Sequence, residues 1–300
     1  MDTDLSVRLA AFSWLAEKTE SLGEVLPRSL LEKGFVFEEN RVPLLGPQGI
    51  FKPRILNLPI SITSSPSNPY KDAFGEDGLL SYRYRGIDPN HPDNVGLRKL
   101  FEKQIPLVYF FGLIPGQYLA TWPVYIVGDN PLMLSFKVAV DDTAYIVQNE
   151  NIPHIISERT DARREYITGT VRIRLHQRGF RERVLYAYHT RCALCRLHHH
   201  ELLDAAHIIP DRDPGGEPLV KNGIALCKLH HAAFDSNFLG VSPDFVIHIR
   251  EDILNETDGP VLQHGLKDLN GEKILLPHEQ HNWPDRIALD LRYMQFQHSL

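Results

Sequence analysis

Two cysteine-bearing knuckles constrain this chain more than any other feature. Cys192 and Cys195 form C-x-x-C, and Cys227 with His230 forms C-x-x-H, with 31 residues between Cys195 and Cys227. Together they supply the four nitrogen and sulfur ligands that tetrahedral Zn²⁺ prefers, and they use every cysteine in the sequence. The expectation is a closed structural zinc site that staples a short, loop-rich module too small to be held by apolar burial alone. A disulfide framework is implausible with three cysteines confined to Cys192–Cys227.

Three hundred residues with 43% hydrophobic and 23% charged content suffice for two cores of roughly 150 residues each. No run of about 18 apolar residues appears, and the opening "MDTDLSVRLAAF" carries acids where a secretory signal carries bases, so a cytoplasmic protein with no membrane partner is expected. The formal net charge of −6 disfavours nucleic acid only as an average. Between Arg159 and Arg183 the chain carries eight arginines, no lysine and three acids. Such a segment suits phosphate contact, with a solvated helix face rich in internal ion pairs as the alternative.

An amphipathic segment from Leu5 to Leu22 opens the chain. Short apolar and aromatic runs broken by Gly and Pro follow, "FKPRILNLPISIT", "LLSYRYRG", "IPLVYFFGLIPGQYLATWPVYIVG" and "LMLSFKVAV", which predict a curved sheet or small barrel. From about Thr170 the spacing of Val171, Leu175, Val184 and Leu185 becomes helical, with Gly179 as an interruption. A domain boundary is placed between Asn149 and Thr170, and "DRIALDLRYMQFQ" reads as a closing helix.

Within the cysteine-bracketed region, "DAAHIIP" reads as a strand ending in a turn, "DRDPGGEPLVKNG" as a loop and "IALCKLHHAAFD" as leading into a helix. The order is strand histidine (His207), loop asparagine (Asn222), helix histidine (His231) and, one turn later, Asp235. This pattern resembles the HNH nuclease motif of the ββα-metal fold, in its zinc-stapled variety. The resemblance implies that His207 is the general base toward water attacking phosphorus, that Asn222 holds the loop, and that His231 and Asp235 bind a catalytic Mg²⁺ or Mn²⁺. A neutral imidazole with a pKa near 6.5 suits proton abstraction, and His230 and His231, about 100° apart around a helix, can serve two metals. Many HNH motifs carry Asp or His immediately before the base, whereas this chain has Ala206; Asp204, two residues earlier, is the substitute ligand considered, or water. His189, His198, His199 and His200 match no motif position and are assigned to surface or phosphate contact.

The stretch "NPYKDAFGEDGLLSYRYRGIDPNH" resembles the region of SRA domains that receives a modified cytosine flipped from the duplex, with Arg85 standing where those domains commonly carry Thr. Tyr70, Tyr82 and Tyr84 would supply π-faces and Asp72 or Asp77 an acceptor for the exocyclic amine, the alternative being that these tyrosines are core residues of a barrel. Strand alternation puts Arg83 and Arg85 opposite Tyr82 and Tyr84, free for phosphate.

As a whole the arrangement is similar to bacterial SRA-HNH modification-dependent restriction endonucleases. The expectation is an α+β protein, with an SRA/PUA-like curved β-barrel reader over residues 1–160, a basic linker helix over 161–183 bearing Arg172, Arg174 and Arg178 toward DNA, and a zinc-containing HNH domain over 184–300. The family implies cleavage of double-stranded DNA carrying 5-methylcytosine or 5-hydroxymethylcytosine. A homodimer is expected because one HNH site cuts one strand. Two rivals stand beside this reading: a modified-DNA binding protein with an inactive HNH module, favoured by Ala206, and a homing-type nuclease acting on unmodified sequence.

Overall fold

The computed structural model describes residues 3–65, 79–142, 158–257 and 259–299. The chain divides into two units, residues 1–175 and 176–300. No helix among the described residues is long and apolar enough to cross a membrane.

In the first unit, α1 (Thr3–Leu22) leads into β1 (Val25–Pro27), α2 (Arg28–Lys33) and a small hairpin of β2 (Phe35–Phe37) and β3 (Asn40–Val42). The predicted apolar runs then supply β4 (Ile50–Phe51), β5 (Ser61–Thr63), β6 (Leu80–Arg83), β7 (Leu107–Ile114), β8 (Gln117–Asn130) and β9 (Ser135–Val140), with α3 (Pro92–Lys103) inserted after β6. They form a curled half-barrel in the order β4-β5-β7-β8-β9-β6, with β1 also paired to β8. The long β8 is the spine: β7 runs antiparallel along one edge, and β1 and β9 pair with its two ends. Register shifts between Leu107 and Tyr109, Gly112 and Ile114, and Ile126 and Gly128 mark irregularities of the kind that bend a strand and curl its sheet. One face packs Leu97, Leu107, Tyr109, Val124, Ile126 and Phe136, and the other packs Val7, Leu15, Leu44, Ile60 and Phe110. Arg8 is fully buried on that second side, where its guanidinium pairs with Asp4 and donates to the Pro59 and Pro106 carbonyls, each at 2.9 Å.

The basic segment forms α4 (Glu158–Ala187), one helix that continues through Gly169 and Gly179. The expected interruption at Gly179 is therefore absent. Glycine costs about 1 kcal/mol in a helix interior, a penalty readily outweighed when neighbours such as Leu175, Phe180 and Val184 are buried. Much of the arginine content serves structure. Arg163 holds Asp141 in a two-bond fork (3.0 and 2.9 Å), Arg164 donates to the same carboxylate at 2.8 Å and lies over the Tyr125 ring, and Arg174 pairs with Glu24 at 2.8 Å.

In the second unit, β10 (Leu203–His207) and β11 (Gly223–Cys227) form an antiparallel hairpin that runs directly into α5 (Lys228–Asp235). A further pair, β12 (Leu239–Val241) and β13 (Ile247–Ile249), is followed by α6 (Glu251–Asn255), α7 (Pro260–Gly265) and the closing α8 (Arg286–Gln297), whose N-terminus Asp285 caps by accepting from Ile287 and Ala288. Val184, Leu185, Tyr188, Leu203, Ala206, Ile224, Leu226, Phe234 and Leu289 make one core beneath the hairpin.

Asp141 is 5% exposed, and its titration follows from its partners: burial pushes its pKa up, but Arg163 and Arg164 outweigh that and hold it below the usual carboxylate value. A carboxylate depressed in the folded state contributes stability above its unfolded pKa and loses it as pH falls through the lowered native value. Asp141→Asn should therefore cost about 3 kcal/mol at neutral pH, as expected for breaking a buried pair, and the deficit should shrink in acid. Urea denaturation of both proteins across that range measures it.

Candidate active site and metal centre

The hairpin and helix bring the two knuckles together. Cys227 ends β11 and immediately precedes α5, so His230 lies within the first helical turn on the same side. The ligand atoms of Cys192, Cys195, Cys227 and His230 all lie within 4.8 Å of one another. The Cys195 and Cys227 sulfurs are 3.9 Å apart, close to the ~3.8 Å edge of a tetrahedron with Zn–S bonds of about 2.3 Å. His230 Nδ1 faces Cys227 Sγ at 3.1 Å and Cys192 Sγ at 3.4 Å, while its Nε2 donates to the Gly265 carbonyl at 2.6 Å. That outer contact fixes the ring orientation a metal-binding imidazole needs. The proton chemistry is coupled accordingly. Contacts with Cys195 and Cys227, together with burial, push the Cys192 thiol up; Cys192 and Cys195 bring Cys227 down. Burial opposes protonation of His230, but the Cys195 and Cys227 sulfurs outweigh it and raise it to about 10. The donor set and spacing fit a structural metal.

On the hairpin, His207 closes β10 opposite Gly223. Its ring stacks on Phe180, with centroids 3.9 Å apart and planes 19° from parallel. A side chain at Gly223 would meet Val184 at 2.6 Å and Phe180 at 2.8 Å, so glycine there is what lets Phe180 sit against the imidazole. His207 Nε2 is buried and, among the described residues, has no hydrogen-bond partner. Burial lowers the pKa of this imidazole below its ordinary value, against the opposing pull of Asp211. The result is a neutral ring with an unengaged nitrogen.

Asn222, 5% exposed, sits one residue before β11. Its Oδ1 accepts from the Ile209 amide at 2.9 Å, and its Nδ2 donates to the carbonyls of Ile209 (2.9 Å) and Glu217 (3.2 Å). It ties the chain leaving His207 to the start of the returning strand. In this geometry Asn222 is a brace.

His231 lies on α5 with Asp204 Oδ2 3.6 Å from its Nδ1 and Asp235 Oδ2 3.3 Å from its Nε2. The Asp204 contact raises its pKa, burial opposes, and Asp235 adds to the rise. Asp204 is held below the usual carboxylate range: burial pushes it up, but His231 and Lys228, the latter at 2.8 Å, prevail. The expectation that Asp204 and Asp235 join His231 around one ion needs correcting, because they face opposite ring nitrogens. Among the described residues, the cysteine and histidine quartet is the one group whose ligand atoms converge. The Nε2 and Asp235 pair offers one imidazole nitrogen and one hard carboxylate oxygen 3.3 Å apart, a spacing that a divalent cation accepts. Ala206 is fully buried in the core.

Other expected site residues are placed differently. Tyr82 and Tyr84 are 5% and 6% exposed; Tyr82 donates to the Gly49 carbonyl at 2.9 Å, and Tyr84 stacks on Phe136, donates to Asp129 and accepts from Arg98 at 3.2 Å. Their faces and hydroxyls are occupied by the barrel, the packing role rather than that of open π-surfaces. Arg83 is exposed, whereas Arg85 pairs with Asp93 and so is not the free cation expected. Arg172 and Arg178 are half-buried on α4. Tyr70, Asp72 and Asp77 lie outside the described residues. His200, expected at the surface or in phosphate contact, is at the surface, and its ring engages the buried Glu182 at 3.0 Å. Sequence reading missed Phe180, Arg181, Glu182 and Lys228, whose roles arise only from contacts made in three dimensions.

Two outcomes follow. The purified protein should carry one zinc per chain by elemental analysis, and Cys227→Ser should lose it together with thermal stability, because binding free energy at such a site is folding free energy. Gly223→Ala should cost about 1–3 kcal/mol by overpacking Phe180 and Val184, read from chemical denaturation.

Comparison with known proteins is confined to part of the chain at the family level. Residues 192–242 match the HNH_2 family model, described as HNH endonuclease. A search of curated proteins finds no match. Among solved structures, the chain is similar to "Modification dependent TagI restriction endonuclease", at 14% identity and TM-score 0.29, covering 79% of this chain and 81% of that one. It is also similar to "Structure of the Type IV phosphorothioation-dependent restriction endonuclease ScoMcrA", at 16% identity and TM-score 0.22, covering 59% of this chain and 45% of that one. The segment from Cys192 to Ser242, with its hairpin, helix and cysteine knuckles, is an HNH endonuclease domain.

Proposed function

We propose that the chain is a divalent-metal-dependent endonuclease acting on double-stranded DNA, with the first unit reading a cytosine modification and the HNH domain hydrolysing the phosphodiester. The observation that carries the nuclease half is the buried, unpartnered Nε2 of a neutral His207, beside a helix that presents His231 and Asp235. A base must be unprotonated and within reach of its proton, and His207 meets the first condition by burial. Phe180 restrains the ring and Asn222 braces the chain that follows it, so the imidazole is oriented before substrate arrives. His207 takes the proton of the attacking water. A divalent ion held by His231 and Asp235 would offset charge on the phosphorane and the leaving oxygen. Exposed Arg83 and, on α4, Arg172 and Arg178 are assigned to phosphate contact, and Tyr70, Asp72 and Asp77 to the modified base. Two protomers, or two successive nicks, give a double-strand break.

The rival of a binding protein with a silent HNH module is favoured by Ala206, which removes the usual ligand position. Both are tested with one plasmid in unmodified, 5-methylcytosine, 5-hydroxymethylcytosine and phosphorothioate forms, in Mg²⁺ or Mn²⁺. Cutting confined to cytosine-modified forms, and lowered about 10²–10⁴-fold by His207→Ala, is the expected result. Equal cutting of all forms rejects the reader, and an inert wild-type protein leaves the binding reading. Because burial depresses the His207 pKa, the neutral base should persist below pH ~6.5, and the rate should fall tenfold per unit only beneath that shifted pKa.

A further inference from the structure

The surroundings of His231 are not symmetric. On the Nε2 side, Asp235 is 60% exposed, and its contact with the ring stands at 3.3 Å. On the Nδ1 side, Asp204 is 29% exposed and already compensated: Lys228 Nζ lies 2.8 Å from Oδ2, Arg181 Nε lies 3.6 Å from Oδ1, and Oδ1 accepts from the Ala205 amide at 3.0 Å. Arg181 is itself fixed. Its Nη2 donates to the His200 and Leu203 carbonyls at 2.8 and 2.9 Å, and its Nη1 pairs with the buried Glu182 carboxylate, which His200 engages from the other oxygen. A carboxylate flanked by two cations is a poor site for a third, doubly charged one, since those cations repel it at short range. The same carboxylate faces Nδ1 at 3.6 Å, beyond hydrogen-bond length, as a charge that favours a proton on that nitrogen.

We propose that Asp204 is a positioning residue: clamped by Lys228 and Arg181, it fixes the His231 imidazole with Nδ1 turned toward the hairpin, and leaves Nε2 with Asp235 as the face that takes the divalent ion. This rests on the reading of His231 as a ligand of the catalytic ion and assigns its geometry. The arrangement is a carboxylate–histidine–metal relay, in which the outer carboxylate sets the tautomer and the basicity of the inner ligand. Glu182 and His200, 18 residues apart in sequence, belong to it by holding Arg181 in place.

The test uses the full-length, zinc-loaded protein and its Asp204→Asn, Asp204→Ala and Asp235→Asn variants. Mn²⁺ affinity is measured by calorimetry, and the His231 tautomer by imidazole ¹⁵N NMR in Mg²⁺ at about pH 8, above the ordinary histidine range. The proposal expects the proton on Nδ1 in the wild type. Asp204→Asn, which keeps an acceptor, should hold that tautomer with Mn²⁺ affinity within about threefold. Asp204→Ala should lose the tautomer preference and bind Mn²⁺ about 10–100-fold more weakly. Asp235→Asn should lose a similar factor in affinity while keeping the tautomer. A fall in affinity for Asp204→Asn as large as for Asp235→Asn would make Asp204 a direct ligand and overturn the proposal, as would a wild-type proton on Nε2. Equal zinc content shows that each variant is folded; should the alanine variant fail that check, the two asparagine variants decide alone. Neither readout depends on DNA cleavage, so a wild type that binds Mn²⁺ as described but never nicks DNA counts against the nuclease reading and not against this one.

Discussion

The junction at Cys227 is the constraint on which the second unit depends. That one residue ends β11, immediately precedes α5 and supplies a sulfur to the quartet, so strand direction, helix direction and metal position are fixed at a single point. The opposing knuckle is tied in by backbone as well: Ala193 donates to the Ala225 carbonyl at 2.7 Å and accepts from the Leu275 amide at 2.7 Å. A hairpin of five-residue strands would be marginal alone. Docked on Val184, Leu185 and Tyr188 and joined to the largely buried cysteine and histidine quartet, it becomes rigid enough to carry the side chains of the proposed site.

From that junction the two adjacent histidines diverge. His230 turns inward to the sulfurs, its far nitrogen held by Gly265, while His231 turns about 100° away toward Asp204 and Asp235. The staple and the reactive face thus share one helical turn. On the other side of the hairpin Phe180 covers His207, and Gly223 makes room for Phe180.

How much was legible in the sequence follows from how local each interaction is. The quartet was legible because its spacing encodes two turns of backbone and a chemistry that few other residues share. The order of His207, Asn222, His231 and Asp235 was legible because a hairpin and a short helix translate sequence separation directly into space. The alternation from Tyr82 to Arg85 was also read, but alternation reports only opposite faces, and it does not say whether the inward face is a pocket or a core; Phe136, Asp129 and Arg98 decide that from elsewhere in the chain. Three of the α4 arginines read as part of a nucleic-acid stripe are occupied by Asp141 and Glu24, and the sequence did not announce this because the partners lie 22, 23 and 150 residues away.

Asp204 is the instructive case, because its sequence position and its charge environment argue in opposite directions. Three residues before the base and on the same strand, it resembles a displaced metal ligand. Yet ligand capacity is set by uncompensated negative charge, and here Lys228 and Arg181 have used that capacity already. Arg181 comes from the helix that precedes the first knuckle and is steered by Glu182 and two carbonyls, so no local pattern around Asp204 announces it. The loss of a ligand position at Ala206 need not silence such a site. Under the proposed reading the burden falls on Asp235 and on the orientation of a single imidazole, and the charges behind that imidazole become part of the design.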